Sequence, residues 1–180
     1  MISHRTASGV RVFLLGVAVV TGVVLLAQPA AFAVPMTNDP KGFRGIPWGA
    51  SLSDFPDLIL SDSTERIKTY DMKNGPPVLG EAKVETMRFI AIDGKFARVM
   101  VRYRGKQNHD LVLAYLQAQY GPMDRSPGMI MRGHSQQYNW RGAETEVNLT
   151  YDGAGERGYV FFDSRVLAPR FNEGYGDAVY

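Results

Sequence analysis

Cysteine is absent from the chain, which removes disulfides, thiolate metal sites and cysteine nucleophiles together. A domain of this composition is held by its core alone. Histidine is scarce, at 3 residues, and no H-E-x-x-H string or i,i+4 histidine pair is present to hold zinc. The apolar run at residues 12–26 is short of the ~20 residues that a membrane-spanning helix needs. It follows Arg5 and Arg11 and precedes Pro29 and an Ala31-Phe32-Ala33 cleavage pattern. Residues 1–33 are therefore expected to be a signal peptide, with export to the periplasm or the medium after cleavage near Ala33. An uncleaved leader would be the one expected contact with a membrane.

An excess of charge is missing as well. The leader takes two of the 20 Lys+Arg and none of the 18 Asp+Glu, so the remainder balances. That leaves no electrostatic reason to bind nucleic acid.

What is present is alternation. Residues 84–103 read as two strands joined at Asp93-Gly94, a dipeptide suited to a type I′ turn. With Ile92 opposite Lys95, an unbroken ladder runs back to Val84 opposite Tyr103. Its faces then separate by the period of two. One carries Val84, Thr86, Ile90 and Ile92 beside Ala97, Val99, Val101 and Tyr103. The other carries Met87, Phe89, Phe96 and Met100, framed by Arg98 and by Glu85 opposite Arg102.

Ser53 is expected to cap a short helix ending near Leu60, with Pro56 in its first turn and Trp48 plugging its end. Asn108 should cap a second helix, His109 to Tyr120, which Gly121-Pro122 stops. Strands are expected at 65–73, within 129–140, at 145–151 and at 159–166. The expected fold is a single α+β domain over residues 43–167. It is a two-layer sandwich of one mostly antiparallel sheet of about six strands, with two helices on one face. It divides into two successive helix–strand–strand–strand units. Residues 34–42 read as a mobile lead-in and 168–180 as a loosely held tail.

Several pieces follow one another in a recognisable order: Phe43-Arg44-Gly45-Ile46-Pro47-Trp48-Gly49, the 84–103 hairpin, Tyr120-Gly121-Pro122, Tyr138-Asn139-Trp140-Arg141-Gly142, the strand 147–151 and Gly158-Tyr159-Val160. The chain in this respect resembles a family of small exported bacterial α+β proteins with no assigned activity. The resemblance implies export and this fold, and carries over no catalytic residue. The layout is also similar to exported binding modules such as β-lactamase inhibitor proteins and the small outer-membrane assembly lipoproteins, although the lipid-bearing cysteine of the latter is missing here.

Motifs of chemistry are weak. Gly153-Ala154-Gly155-Glu156-Arg157-Gly158 matches the dinucleotide string G-x-G-x-x-G, but Tyr159-Val160-Phe161-Phe162 after it reads as a strand where that chemistry needs a helix. A hairpin loop is the expectation. His109 and His134 read as solvated polar residues. Ser135 falls short of a G-x-S-x-G elbow. The pairs Glu144 with Glu146 and Asp54 with Asp57 read as solvated faces. No catalytic residue, cofactor or metal is expected. The leading expectation is a non-enzymatic envelope protein that binds a partner or its own copy through an open sheet face carrying Met87, Phe89, Phe96, Arg98 and Met100. The alternatives are a hydrolase assembled from sequence-distant polar residues and a small-ligand or lipid binder.

Overall fold

The computed structural model describes residues 34–74, 77–122, 129–132 and 134–173. Among these, nine strands form one sheet. Its strands are β1 (Val34–Pro35), β4 (Leu58–Ser63), β5 (Ile67–Met72), β8 (Thr86–Ile92), β9 (Lys95–Arg104), β10 (Met129–Arg132), β11 (Ser135–Arg141), β12 (Thr145–Asp152) and β13 (Arg157–Ser164). Two small hairpins lie outside it: β2 (Gly42–Phe43) with β3 (Ile46–Pro47), and β6 (Val78–Leu79) with β7 (Ala82–Lys83). One α-helix, α1 (Lys106–Tyr120), and two short 3₁₀ turns, Leu52–Asp54 and Ala168–Asn172, complete the described elements. No helix among the described residues is long and apolar enough to cross a membrane.

The central path runs β11-β12-β13-β9-β8-β5-β4, every neighbouring pair antiparallel. It joins two meanders, β4-β5-β8-β9 and β10-β11-β12-β13, through their last strands. In place of the expected pair of helix–strand–strand–strand units with two helices on one face, there are two four-stranded meanders, and a single α-helix precedes the second. The stretch expected to form the first helix makes one 3₁₀ turn, with Phe55 N–H donating to Leu52 C=O, and then extends as β4. A helix of that length is marginal alone. Leu58, Ile59 and Leu60 instead gain a full set of ladder partners from β5. The spacing of Leu52, Phe55 and Leu58 suits a turn followed by a strand as well as it suits a helix.

The Asp93-Gly94 reversal is present, with φ of 50° and 78° and Ile92 opposite Lys95. The ladder beyond it is not unbroken. Ala91 faces Phe96, but Ile90 faces Arg98, so Ala97 is an extra residue, a β-bulge. From there to Tyr103 the strand is turned over relative to the expected register. Val99, Val101 and Tyr103 join Met87, Phe89, Ala91 and Phe96 on the buried side, while Arg98, Met100 and Arg102 face outward with Arg88. The reason is the cost of burying charge. Without the slip, Arg98 and Arg102 would share the covered side with Phe96. The bulge is also held from above: Gly49 N–H donates to Phe96 C=O and Phe96 N–H to Ala50 C=O, at 2.8 and 2.9 Å.

The inner face is a grid of cross-strand rows. Tyr70, Phe89, Val99, Phe162, Val147 and Trp140 lie side by side across six strands, and Met87, Val101, Val160, Leu149 and Tyr138 form the next row. All are buried. Val112, Leu116 and Tyr120 of α1 cover one half, and Phe43, Ile46 and Leu52 the other. Phe162 is the meeting point, with ring centroids 4.6 Å from Phe43 and 6.4 Å from Tyr120.

Trp48 lies against Phe96 rather than over a helix end, and its indole N–H donates to Thr145 Oγ1 at 2.9 Å. Trp140 Nε1–H donates to Gly121 C=O at 2.9 Å. Trp48 and Trp140 thus fasten the cover to the sheet. Residues 34–42, read as a mobile lead-in, are tied to the body by β1 on β11, by Thr37 N–H on Tyr120 C=O, and by Asp39, whose carboxylate accepts from Glu144 N–H at 2.7 Å.

Candidate interaction surface and a buried histidine

The outer side of the sheet alternates with the core. Its centre is the cross-strand pair Met100–Phe161, with Arg88 beside Met100 and Asn148 beside Phe161. Ile90 and Tyr159 lie one step away, and all four large apolar side chains are half-buried. Around them the charges are paired: Arg102 and Arg104 with Glu85 (2.8 and 3.3 Å), Arg88 with Asp71 (3.9 Å) and Arg141 with Glu146 (3.8 Å). Asn139 donates to Glu146 at 2.8 Å and also bonds Asn148.

One margin of this face is covered. The 3₁₀ turn at residues 168–172 brings Phe171 over Arg98, which lies between the Phe171 and Phe161 rings at 4.7 and 5.3 Å. Arg98 makes a two-pronged bond to the Asp163 carboxylate at 2.6 and 3.2 Å. Burial raises the Asp163 pKa above the usual carboxylate range, and the Arg98 bond only partly offsets this. A shallow polar groove of about 350 Å³ runs between this turn and the sheet.

The five residues expected on one open face are therefore divided. Met87, Phe89 and Phe96 are 2%, 2% and 0% exposed and belong to the core, under α1 and the residue 43–52 cover. Arg98 and Met100 are on the outer side. Ala97 is the cause, and the half-exposed apolar partner that the bulge gives Met100 is Phe161, which strand alternation in β13 alone could have pointed to.

His109, expected in solvent, is 2% exposed. The helix starts at Lys106, earlier than expected. Asn108 Nδ2 donates to Arg104 C=O rather than capping the helix. His109 is thereby turned inward, its ring stacked on Tyr151 with centroids 3.9 Å apart. Gln136 Oε1 accepts from Tyr138 O–H at 2.9 Å and lies 3.1 Å from His109 Nε2, so Nε2 carries the proton. Nδ1 then accepts from Tyr103 O–H at 2.8 Å. That is the network of a neutral imidazole. Desolvation lowers the His109 pKa below the ordinary histidine value, with Gln136 and Asp110 opposing it. Burial likewise raises the Tyr103 pKa. Tyr103 fits because it crosses Gly158: a Cβ there would meet Tyr103 Cζ at 1.9 Å.

The remaining candidates separate. Gly153–Gly158 forms the β12–β13 turn and enters a strand, with Asp152 accepting from Ala154 and Gly155 N–H. Ser135 is half-buried opposite Asp152, and His134 is exposed. Glu146 lies on the outer face and Glu144 in the turn before β12. Asp54 ends the first 3₁₀ turn, with Asp57 in the turn beyond it. Among the described residues, no group of three or more His, Asp or Glu is placed to hold a metal. Compared with protein-family models, curated proteins and solved structures, the chain matches none of them.

Proposed function

We propose that the chain is an exported, non-enzymatic binding module of the small bacterial family it resembles, and that it engages an envelope protein or a second copy of itself through the outer face of its sheet. The observation that carries this reading is the half-exposed pair Met100–Phe161, flanked by Ile90 and Tyr159 within a frame of paired charges. An apolar centre ringed by polar groups is the anatomy of a protein contact. The framing arginines have their charges matched in place, so docking there would not bury an unpaired cation. A hydrolytic reading has less support. His109, the histidine with built hydrogen-bond partners, faces a glutamine and tyrosines and is closed off from solvent.

The test is Met100→Glu with Phe161→Glu in the tagged mature chain. Both side chains are half-exposed, so the fold should persist, as near-ultraviolet circular dichroism would report. Co-purification from the envelope fraction, or the dimer band in light scattering, should disappear. Association unchanged by a pair of glutamates at this centre refutes the reading.

A further inference from the structure

The covered side of the sheet opens at its β4–β5 edge. There the cover formed by the β2–β3 hairpin ends, and a cleft of about 240 Å³ remains beside Phe55. Its walls include Phe89, Ile46, Leu58 and Met72, the first three of them buried. Two charged residues, Arg44 and Asp57, line the same cleft. At ~30 Å³ per water it holds the volume of about eight waters, below the ~300 Å³ where drug-sized pockets begin. Whatever fits is small and mostly apolar.

Arg44 is held there at a cost. It occupies the first position of a two-residue turn with φ of 50°, left-handed backbone that Gly, Asn or Asp adopts more readily. Residues kept in such conformations cluster at ligand sites. The guanidinium donates to Val78 C=O and to Met72 Sδ, the latter at 3.3 Å, and lies near the Phe43 ring. These contacts fix its direction and leave its charge unmatched. Arg88, Arg98, Arg102 and Arg104 on the outer face each have a carboxylate. Arg44 has none among the described residues, and neither does the Asp57 carboxylate have a cation. The cleft thus presents one unmatched cation and one unmatched anion above an apolar floor.

We propose that this cleft binds a free α-amino acid with an apolar side chain, its carboxylate on Arg44, its ammonium toward Asp57 and its side chain against Phe89. A plain fatty carboxylate would satisfy Arg44 but meet repulsion from Asp57. A plain amine would do the reverse. A zwitterion, with both charged groups attached to one carbon, answers both. Two-pronged recognition of a carboxylate is what a guanidinium is shaped for. The site is on the opposite side of the sheet from Met100 and Phe161, so it stands independently of the proposed protein contact.

The experiment is titration calorimetry on the mature chain with L-leucine, 4-methylpentanoate and 3-methylbutylamine, which keep the branched body and vary the charges. Leucine should bind saturably, and each single-charge analogue about tenfold or more weaker. Arg44→Gln should weaken leucine about tenfold and bring 3-methylbutylamine level with it, while Asp57→Asn should bring 4-methylpentanoate level with leucine. Asp57 is exposed with no side-chain bond among the described residues, so its variant keeps the fold even if the Arg44 turn shifts. No saturable binding of leucine up to about 10 mM overturns the proposal. So does 4-methylpentanoate binding the unaltered chain as tightly as leucine.

Discussion

At the scale of single residues, Gly158 and His109 are both tightly constrained. Gly158 lies under the Tyr103 ring, where any side chain would collide with a group already fixed by His109. Gly158→Ala is expected to cost about 3 kcal/mol or more, because Tyr103 is fully buried and bonded to His109. A urea melt would show it, and a midpoint unchanged from the parent would contradict this packing. His109 makes stability depend on pH. In the unfolded chain its pKa returns to the ordinary ~6.5, whereas burial holds it lower in the fold. As pH falls through ~6.5, the unfolded state takes up a proton that the folded state refuses. Stability should be level above that point and decline below it toward the lowered folded value. Urea midpoints between about pH 5 and 8 should show this slope in the parent chain and lose most of it in His109→Gln. An equal slope in both would assign it elsewhere. Neither role was legible in advance. A histidine in the first helical turn reads as solvated until the helix is known to begin at Lys106, and Gly158 is part of a string that resembles a nucleotide loop.

At the scale of elements, local chemistry could be read and long-range choice could not. Asp93-Gly94 dictates its own reversal, because few other pairs accept two positive φ angles at so little cost. Gly121-Pro122 ends α1 for reasons equally local. The bulge at Ala97 has no such signature. Alanine fits either face, and the slip is decided by what lies above Phe96 and by keeping Arg98 and Arg102 out of the core. The expected first helix failed for a different reason: β5, which follows β4 after only three residues, captures residues 58–63 in a hairpin that the helix pattern by itself does not reveal. Deleting Ala97 tests the bulge. It joins Phe96 directly to Arg98, so Ala91 keeps Phe96 and Ile90 keeps Arg98 as partners, both arginines stay outward in a regular ladder, and the variant should still unfold cooperatively. Loss of cooperative unfolding would mean that the outward placement of the arginines depends on the bulge itself.

At the scale of the whole molecule, one face of the sheet is consumed by the core and the other is left open. Three of the five residues expected at the interaction surface turn out to build the former. Phe43, Trp48, Gly121 and Trp140 also serve the former, fastening cover to sheet. The proposed protein contact therefore falls at the outer centre, Met100 and Phe161. The absence of cysteine makes that assignment directly measurable, since one introduced thiol is the sole attachment point for a photo-crosslinker. A probe at Met100→Cys in the mature chain, irradiated in the envelope fraction, should give one discrete product identifiable by mass spectrometry. The product should vanish when Phe161→Glu is added, and a probe at Ala118→Cys on α1 should not form it. The same product from position 118, or none from position 100, would contradict the account.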